Sequence, residues 1–243
     1  MSPRTQRSRG PDPEDAVAFA ASQLERVRAA VAELSWLLSR HYAPASALAL
    51  VGDRHQLTQR QRLAVGHCAC ADEPLVARCA RRLASDDLAG RALRIDGFNC
   101  IITVEAALSG ALLLVGRDGV WRDLSRVRGS YHPVAVTERA VALIGETLAR
   151  AGVATIEWFL DRPVSNSGRL RELLLDTAAA RGWPWRAELS DGTDRAVAAA
   201  PDVVASSDSW ILDRGLPWLD LPAAVLLTHH IEVWLVAVAL DAG

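Results

Sequence analysis

Three short apolar runs in the second half of the chain, RALRID, TIEWFLD and DVVASSD, each stop at an aspartate just before a segment with helical spacing. Runs of this length alternating with helices read as buried strands of βαβ units, which assemble into a mainly parallel sheet. No other feature constrains the chain as strongly. It fixes an α/β class and puts Asp96, Asp161 and Asp208 at strand ends, where open α/β sheets bind their ligands. Alone, the D-G-x-N after the first run would read as a turn, because Asp, Gly and Asn suit turn backbone angles; three strands ending alike shift the reading toward a shared site.

The rhythm predicts strands at Ala92–Asp96, Ala111–Val115, Ala154–Leu160, Trp185–Leu189 and Asp202–Ala205. Helices are expected at Ile101–Leu108, Thr137–Arg150, Gly168–Arg181 and Asp194–Ala199, with another after Pro222. Asp118 and Gly119 signal a turn between two extended pieces. Before Gly90 the period is helical throughout. Leu24, Val27, Val31, Leu34, Leu37 and Leu38 recur every three or four residues, so one amphipathic helix is expected from Ala16 to about Arg40. Two shorter helices follow, separated by a turn around Gly52 and Asp53, with Thr58 as N-cap of the second. A further helix is expected in DEPLVARCARRLASDDL. The organisation read from this is a polar tail over 1–15, a small all-helical module over 16–90 and an α/β domain over 91–243.

Composition narrows the functional classes. A net charge of -2 over 243 residues and a pI near 6.3 give no global pull toward nucleic acid or an anionic membrane. All 27 basic residues are arginine, which reads as compositional bias. Four cysteines are too few and too irregularly spaced for a secreted disulfide scaffold. The first sixteen residues are polar and lack the apolar core of a signal peptide, and the longest apolar run, IEVWLVAVAL, is about half of what a bilayer crossing needs. A soluble, cytoplasmic protein is expected.

Converging carboxylates repel one another unless a divalent cation offsets the repulsion. Asp96, Asp161 and Asp208 are therefore expected to hold Mg²⁺ or Mn²⁺, with Asp213 five residues after Asp208 completing the set. The loop DRPVSNSGRL supplies a second candidate. Ser165, Asn166, Ser167, Gly168 and Arg169 begin a helix whose free N–H groups favour an anion such as phosphate, although an ordinary helix cap accounts for them equally well. Ser165 and Ser167 have no nearby histidine, so a serine hydrolase is not supported. Around Gly52 the two short helices have the length of a helix-turn-helix, which would put Arg60 and Arg62 at the start of a recognition helix; a solvated arginine-rich face is the plain alternative. His67, Cys68 and Cys70 lack a second ligand pair at zinc spacing and read as buried structural side chains.

RIDGFN, LDRPVSNSGRL and SSDSWILD, with the upstream YAPASALALVGDRHQLTQRQRLAV, resemble the bacterial and archaeal domain-of-unknown-function family 434, over about Leu34 to Leu221. More distantly, IDGFN and SSDS resemble the first and third acidic motifs of PIN and NYN nucleases, which cut RNA with Mg²⁺ or Mn²⁺. That second resemblance implies a PIN/NYN-like α/β domain behind the helical module. It makes Asp96 the first-strand metal ligand, Asn99 its polar companion and Asp208 the later acid. Trp210 stands where that pattern has another acid, and Glu105 and Glu138 are weak candidates for the middle helix acid. The function expected is a metal-dependent nuclease or phosphodiesterase acting on RNA. The alternatives are a non-catalytic nucleic-acid-binding or regulatory protein on the same fold and an enzyme acting on a small phosphorylated substrate. Nucleic acid is the expected partner, no membrane is, and a homo-oligomer is compatible with the sequence.

Overall fold

The computed structural model describes residues 9–125 and 131–239. Five helices come first: α1 (Asp15–Ala18), α2 (Ala21–Leu38), α3 (Pro44–Arg54), α4 (Gln59–Cys68) and α5 (Asp72–Cys79), followed by a 3-10 turn at Ser85–Leu88. The mixed part then runs β1 (Ala92–Asp96), α6 (Gly97–Leu108), β2 (Leu112–Val115), β3 (Trp121–Asp123), α7 (Thr137–Arg150), β4 (Thr155–Asp161), α8 (Ser167–Arg181) and β5 (Trp185–Ser190). It closes with α9 (Thr193–Val197), β6 (Val203–Ala205), α10 (Ser209–Leu212), β7 (Trp218–Leu219), α11 (Leu221–Thr228) and β8 (Trp234–Ala237). An all-helical stretch thus precedes a mixed α/β part with a mainly parallel sheet. None of the described helices is long and apolar enough to cross a membrane.

The main sheet has the order β5-β4-β1-β6-β7, with every pair parallel. Its strands alternate sides with period two. Ile156, Trp158 and Leu160 of β4 face one hydrophobic core with α6, α7, α8 and α11, while Phe159 faces another with Val197 of α9 and Ile211 of α10. Helices on both faces are what a parallel sheet built of near-continuous apolar strands needs.

Several local details follow from the residues. Thr58 caps α4 by accepting from the Gln61 N–H at 3.2 Å while the Gln61 side chain accepts from the Thr58 N–H at 3.1 Å, a reciprocal capping box. Gly182 ends α8 with φ at 67°, a left-handed conformation that costs glycine little. Gly145 of α7 lies under Trp183, which stacks on Trp185 with ring centroids 4.9 Å apart. A Cβ at Gly145 would come within 1.9 Å of Trp183 Cζ3. Gly145→Ala is therefore expected to destabilise by about 1–2 kcal/mol despite alanine's better helix propensity. An unchanged urea midpoint would mean that Trp183 moves aside freely.

Besides shifts at element ends, such as α6 starting at Gly97 rather than Ile101, and the unexpected α10 and β7, the structure departs from the sequence reading as follows. The long leading helix is two, because the chain breaks at Phe19 and Ala20 between α1 and α2. Gly52 and Asp53 lie inside α3, and the turn falls at His55–Leu57. A second sheet, β3-β2-β8, is separate from the main one; β2 pairs antiparallel with β3 through the turn at Asp118–Gly119 and parallel with β8. Leu112, Leu114 and Val236 of this small sheet share one core with Val27, Val31, Val51 and Val65 of the leading helices.

Candidate functional site

In the main sheet the chain passes from β1 to β4 on one side and returns to β6 on the other. The loops leaving β1 and β6 therefore diverge to opposite faces, the switch point at which open α/β sheets form a crevice. A cavity of about 380 Å³ lies there. Its walls include Asp96, Phe98, Asn99 and Ile102 from the start of α6, Asp161 and Val164 after β4, and Ser207, Asp208 and Ser209 after β6. Gly66 and His67 of α4 and Arg122 and Asp123 of β3 close the opposite side.

Asp96 is the N-cap of α6, accepting from the Asn99 N–H at 3.4 Å, and its second oxygen accepts from Ser206 Oγ at 2.9 Å. Burial pushes its pKa up to about 7 against the opposing pull of those two hydrogen bonds, and the charges of Asp161 and Asp194 push the same way. Asn99 clasps Ser207, donating to its hydroxyl at 2.9 Å and accepting from its N–H at 2.8 Å, which ties α6 to the loop after β6. Asp208 caps α10 through the Trp210 N–H at 2.7 Å. The Asp161 carboxylate is half-buried and has no hydrogen-bond or ion-pair partner among the described residues. His67 stands at the rim; desolvation of its inner side, and then the charge of Arg122, lower its pKa below the ordinary histidine value. The Arg122 guanidinium is committed to Asp118 at 2.7 and 2.8 Å and to the Ser207 carbonyl at 3.3 Å. Chemically, this lining offers hydrogen-bond acceptors and negative charge, with a carboxyl group that exchanges its proton near neutral pH.

The sequence-expected residues divide accordingly. Asp96, Asn99, Asp161 and Asp208 line one cavity. Asp213 lies outside its walls, in an ion pair with Arg78 at 2.7 Å. The Ser165–Arg169 loop is also outside them. There Asn166 donates to the Tyr131 carbonyl at 2.6 Å, Ser167 to the Arg162 carbonyl at 3.3 Å, and a side chain at Gly168 would meet nothing within 4 Å. Arg60 is turned inward, and Arg62 lies half-exposed along α3. Arg60 grips Asp15 at 2.6 and 2.8 Å and the Leu124 carbonyl at 2.8 Å, while Arg62 reaches Asp53 at 2.7 Å and the Leu57 carbonyl at 3.1 Å. Trp210 is 40% exposed, with Arg214 3.6 Å from its ring centroid. Glu105 is wholly buried within α6.

The expectation of a metal-dependent nuclease or phosphodiesterase with Mg²⁺ or Mn²⁺ held by Asp96, Asp161, Asp208 and Asp213 is overturned. Among the described residues, no group of three or more His, Cys, Asp or Glu side chains is placed to hold a metal ion. Strand register supplies the reason. Asp96 pairs with Phe159, so Asp161 lies two residues farther along the neighbouring strand, about 7 Å at strand rise. Ile95 pairs with Ala205, so Asp208 is also two residues past the level of Asp96. The carboxylates share a cavity without converging, and the hydrolase, nuclease and metal-binding assignments fall with the missing ligand set.

Residues 85–224, more than half of the chain, match the family model described as Domain of unknown function (DUF5616). Residues 26–81 match a second, Protein of unknown function (DUF434). The family-434 likeness is thus real, but it lies in the helical stretch rather than across Leu34 to Leu221. The PIN and NYN likeness rests on IDGFN and SSDS alone. An uncharacterized protein of Methanocaldococcus jannaschii is 26% identical over 180 residues, covering 74% of this chain and 86% of its own length. No solved structure matches. Gly66 and His67 of the cavity wall come from the segment matching the second family, and the remaining wall residues up to Ser209 come from the segment matching the first.

Proposed function

We propose that this chain, which belongs to the DUF5616 family, binds a compact ligand bearing a protonated nitrogen, an amine or amidinium, in the cleft at the ends of β1, β4 and β6. One observation carries the reading: the unpartnered Asp161 carboxylate borders a cavity that Asp96 and Asp208 also line, at the switch point of the sheet. Phe98, Ile102 and Val164 give the cavity an apolar side suited to a short hydrocarbon body. Pockets of this size commonly combine an apolar lining with a few placed polar groups. The helix starts at this edge do not speak for a phosphate, since Asp96 and Asp208 already occupy the N-cap positions of α6 and α10 with their own carboxylates.

Calorimetric titration with agmatine and spermidine, against inorganic phosphate as an anionic control, tests the reading. The cations are expected to bind, and Asp161→Asn with Asp208→Asn to weaken them at least about tenfold, a loss of ~1.4 kcal/mol. Affinity is expected to rise between pH 6 and pH 8, as Asp96 gives up its proton while the amine keeps its own. Binding of phosphate with no binding of either cation would overturn it.

A further inference from the structure

Glu105 lies in the middle of α6 with no solvent exposure. An ionised carboxylate there is costly unless it is both paired and hydrogen-bonded. Its partners come from distant segments. Arg9 donates through Nε to one oxygen, while Tyr131 Oη, at 2.7 Å, and Thr137 Oγ1 donate to the other. Arg9 also lies 5.0 Å from the centroid of the Tyr131 ring and donates to the His132 carbonyl at 3.4 Å. Farther along the same leading segment, Asp15 is gripped by Arg60.

From Tyr131 two contacts lead into the cleft. Its ring packs on Phe98, with centroids 5.1 Å apart, and its carbonyl accepts from Asn166 Nδ2 at 2.6 Å, two residues after Val164. Phe98 and Val164 belong to the apolar side of the cavity. We infer that Arg9, in the described stretch 9–14 ahead of α1, is a latch on the cleft: seated on Glu105 and Tyr131, it positions the wall formed by Phe98 and Val164. Arg9 touches no part of the cavity and is a positioning residue. With Arg9 withdrawn, Glu105 keeps two hydroxyl donors and no cation, Tyr131 loses the guanidinium over its ring, and both contacts from Tyr131 to the cleft loosen together.

Amide hydrogen exchange of the full chain tests this without any ligand, because local opening is read residue by residue. In Arg9→Ala and in Glu105→Gln, the amides of Ile102 and Val164 are expected to exchange at least about fivefold faster, with Leu189 of β5 as the unaffected reference. Arg9→Lys, which keeps the charge but not the planar fork, is expected to fall between; if the alanine variant does not fold, it and Glu105→Gln carry the test. A uniform change at all three amides, or none, would overturn the latch and leave a plain stabilising ion pair.

A second readout rests on the ligand reading above. Removing a positive charge would by itself strengthen cation binding to an acidic cleft. A fall in agmatine affinity of about fivefold in Arg9→Ala, roughly 1 kcal/mol, is therefore the mark of positioning, and a rise would count against it. If agmatine does not bind the wild-type chain, the ligand reading fails while the exchange measurement still decides the latch.

Discussion

Asp118→Ala is expected to cost about 3–5 kcal/mol of folding stability, because it leaves the buried Arg122 without a carboxylate and Arg78 with Asp213 alone. Arg78 reaches the Asp118 carboxylate at 2.7 Å, and Arg122 takes it in a two-pronged contact at 2.7 and 2.8 Å. The side chains of Arg78 and Arg122 are 3% and 6% exposed. The cluster joins α5 to the β2–β3 turn, and through Asp213 and the Ser209 carbonyl it joins α5 to α10 as well. Burial alone would raise the Asp118 pKa, but the hydrogen bonds and charges of Arg122 and Arg78 outweigh it and hold the carboxyl below its usual range. A lowered carboxylate pKa contributes stability above the unfolded value and loses it as pH falls through the folded one. Chemical denaturation at neutral pH should place Asp118→Asn between wild type and Asp118→Ala. A loss below about 1 kcal/mol for the alanine variant would mean that water replaces the carboxylate and that the cluster is not closed to solvent.

Asp96 is expected to behave in the opposite sense. Its folded pKa of about 7 lies above the ordinary value of 3.8, so the folded state holds a proton that the unfolded chain has released. Stability from this group is fully present below the unfolded pKa and is lost as pH rises from about 4 to about 7. At about 1.4 kcal/mol per pKa unit, the loss approaches ~4 kcal/mol as an upper bound. Asp96→Asn keeps an acceptor for the Asn99 N–H and gains a donor toward Ser206, so its stability should lack this fall. The difference between the two proteins, measured as urea midpoints at pH 5 and pH 8, is expected to favour the asparagine form increasingly at the higher pH. Raised neighbours such as Asp194 and Asp220 titrate in both proteins and cancel from that difference to first order. Parallel pH profiles would place Asp96 in contact with water and remove the buried acid from the cleft.

Much of this architecture was legible in local patterns. The first expected strand, Ala92–Asp96, is met to the residue, the one expected at Ala154–Leu160 is displaced by a single residue, and Thr58 caps its helix as its position before the apolar period implies. Asp96 and Asp161 end their strands, and Asp208, three residues past β6, caps α10 instead, so the three aspartates at one cavity lie close to where the sequence puts them. Their failure to form a metal set could not be read there. Register between β1 and its neighbours sets the offset of Asp96, and no local pattern encodes it. The second sheet was hidden for a related reason: Leu112 pairs with Trp234 across more than a hundred residues, and β8 by itself is only a short apolar run. His67 carries no local signal as a wall residue: in sequence it stands beside Cys68 and Cys70 as one more structural side chain, whereas the fold turns Cys68 into the core and leaves His67 at the cavity rim. Arg60 and Arg62 looked available because a sequence shows charges but not their acceptors; Asp15, 45 residues before Arg60, is one of those acceptors.

The cleft's two sides also bear on how such a protein is inherited. Gly66 and His67 come from the stretch that matches one family of unknown function, and the other wall residues, Arg122 and Asp123 beside them included, come from the stretch that matches another. The second stretch without the first would keep Asp96, Asp161 and Asp208 but lose the part of the wall formed by Gly66 and His67. If one ligand fills the cavity, a change at Gly66 or His67 and a change at Asp96 bear on the same site, and the two stretches are expected to be inherited together. The boundary that divides the two families in sequence sets Gly66 and His67 apart from the rest of what, to a ligand, is one object.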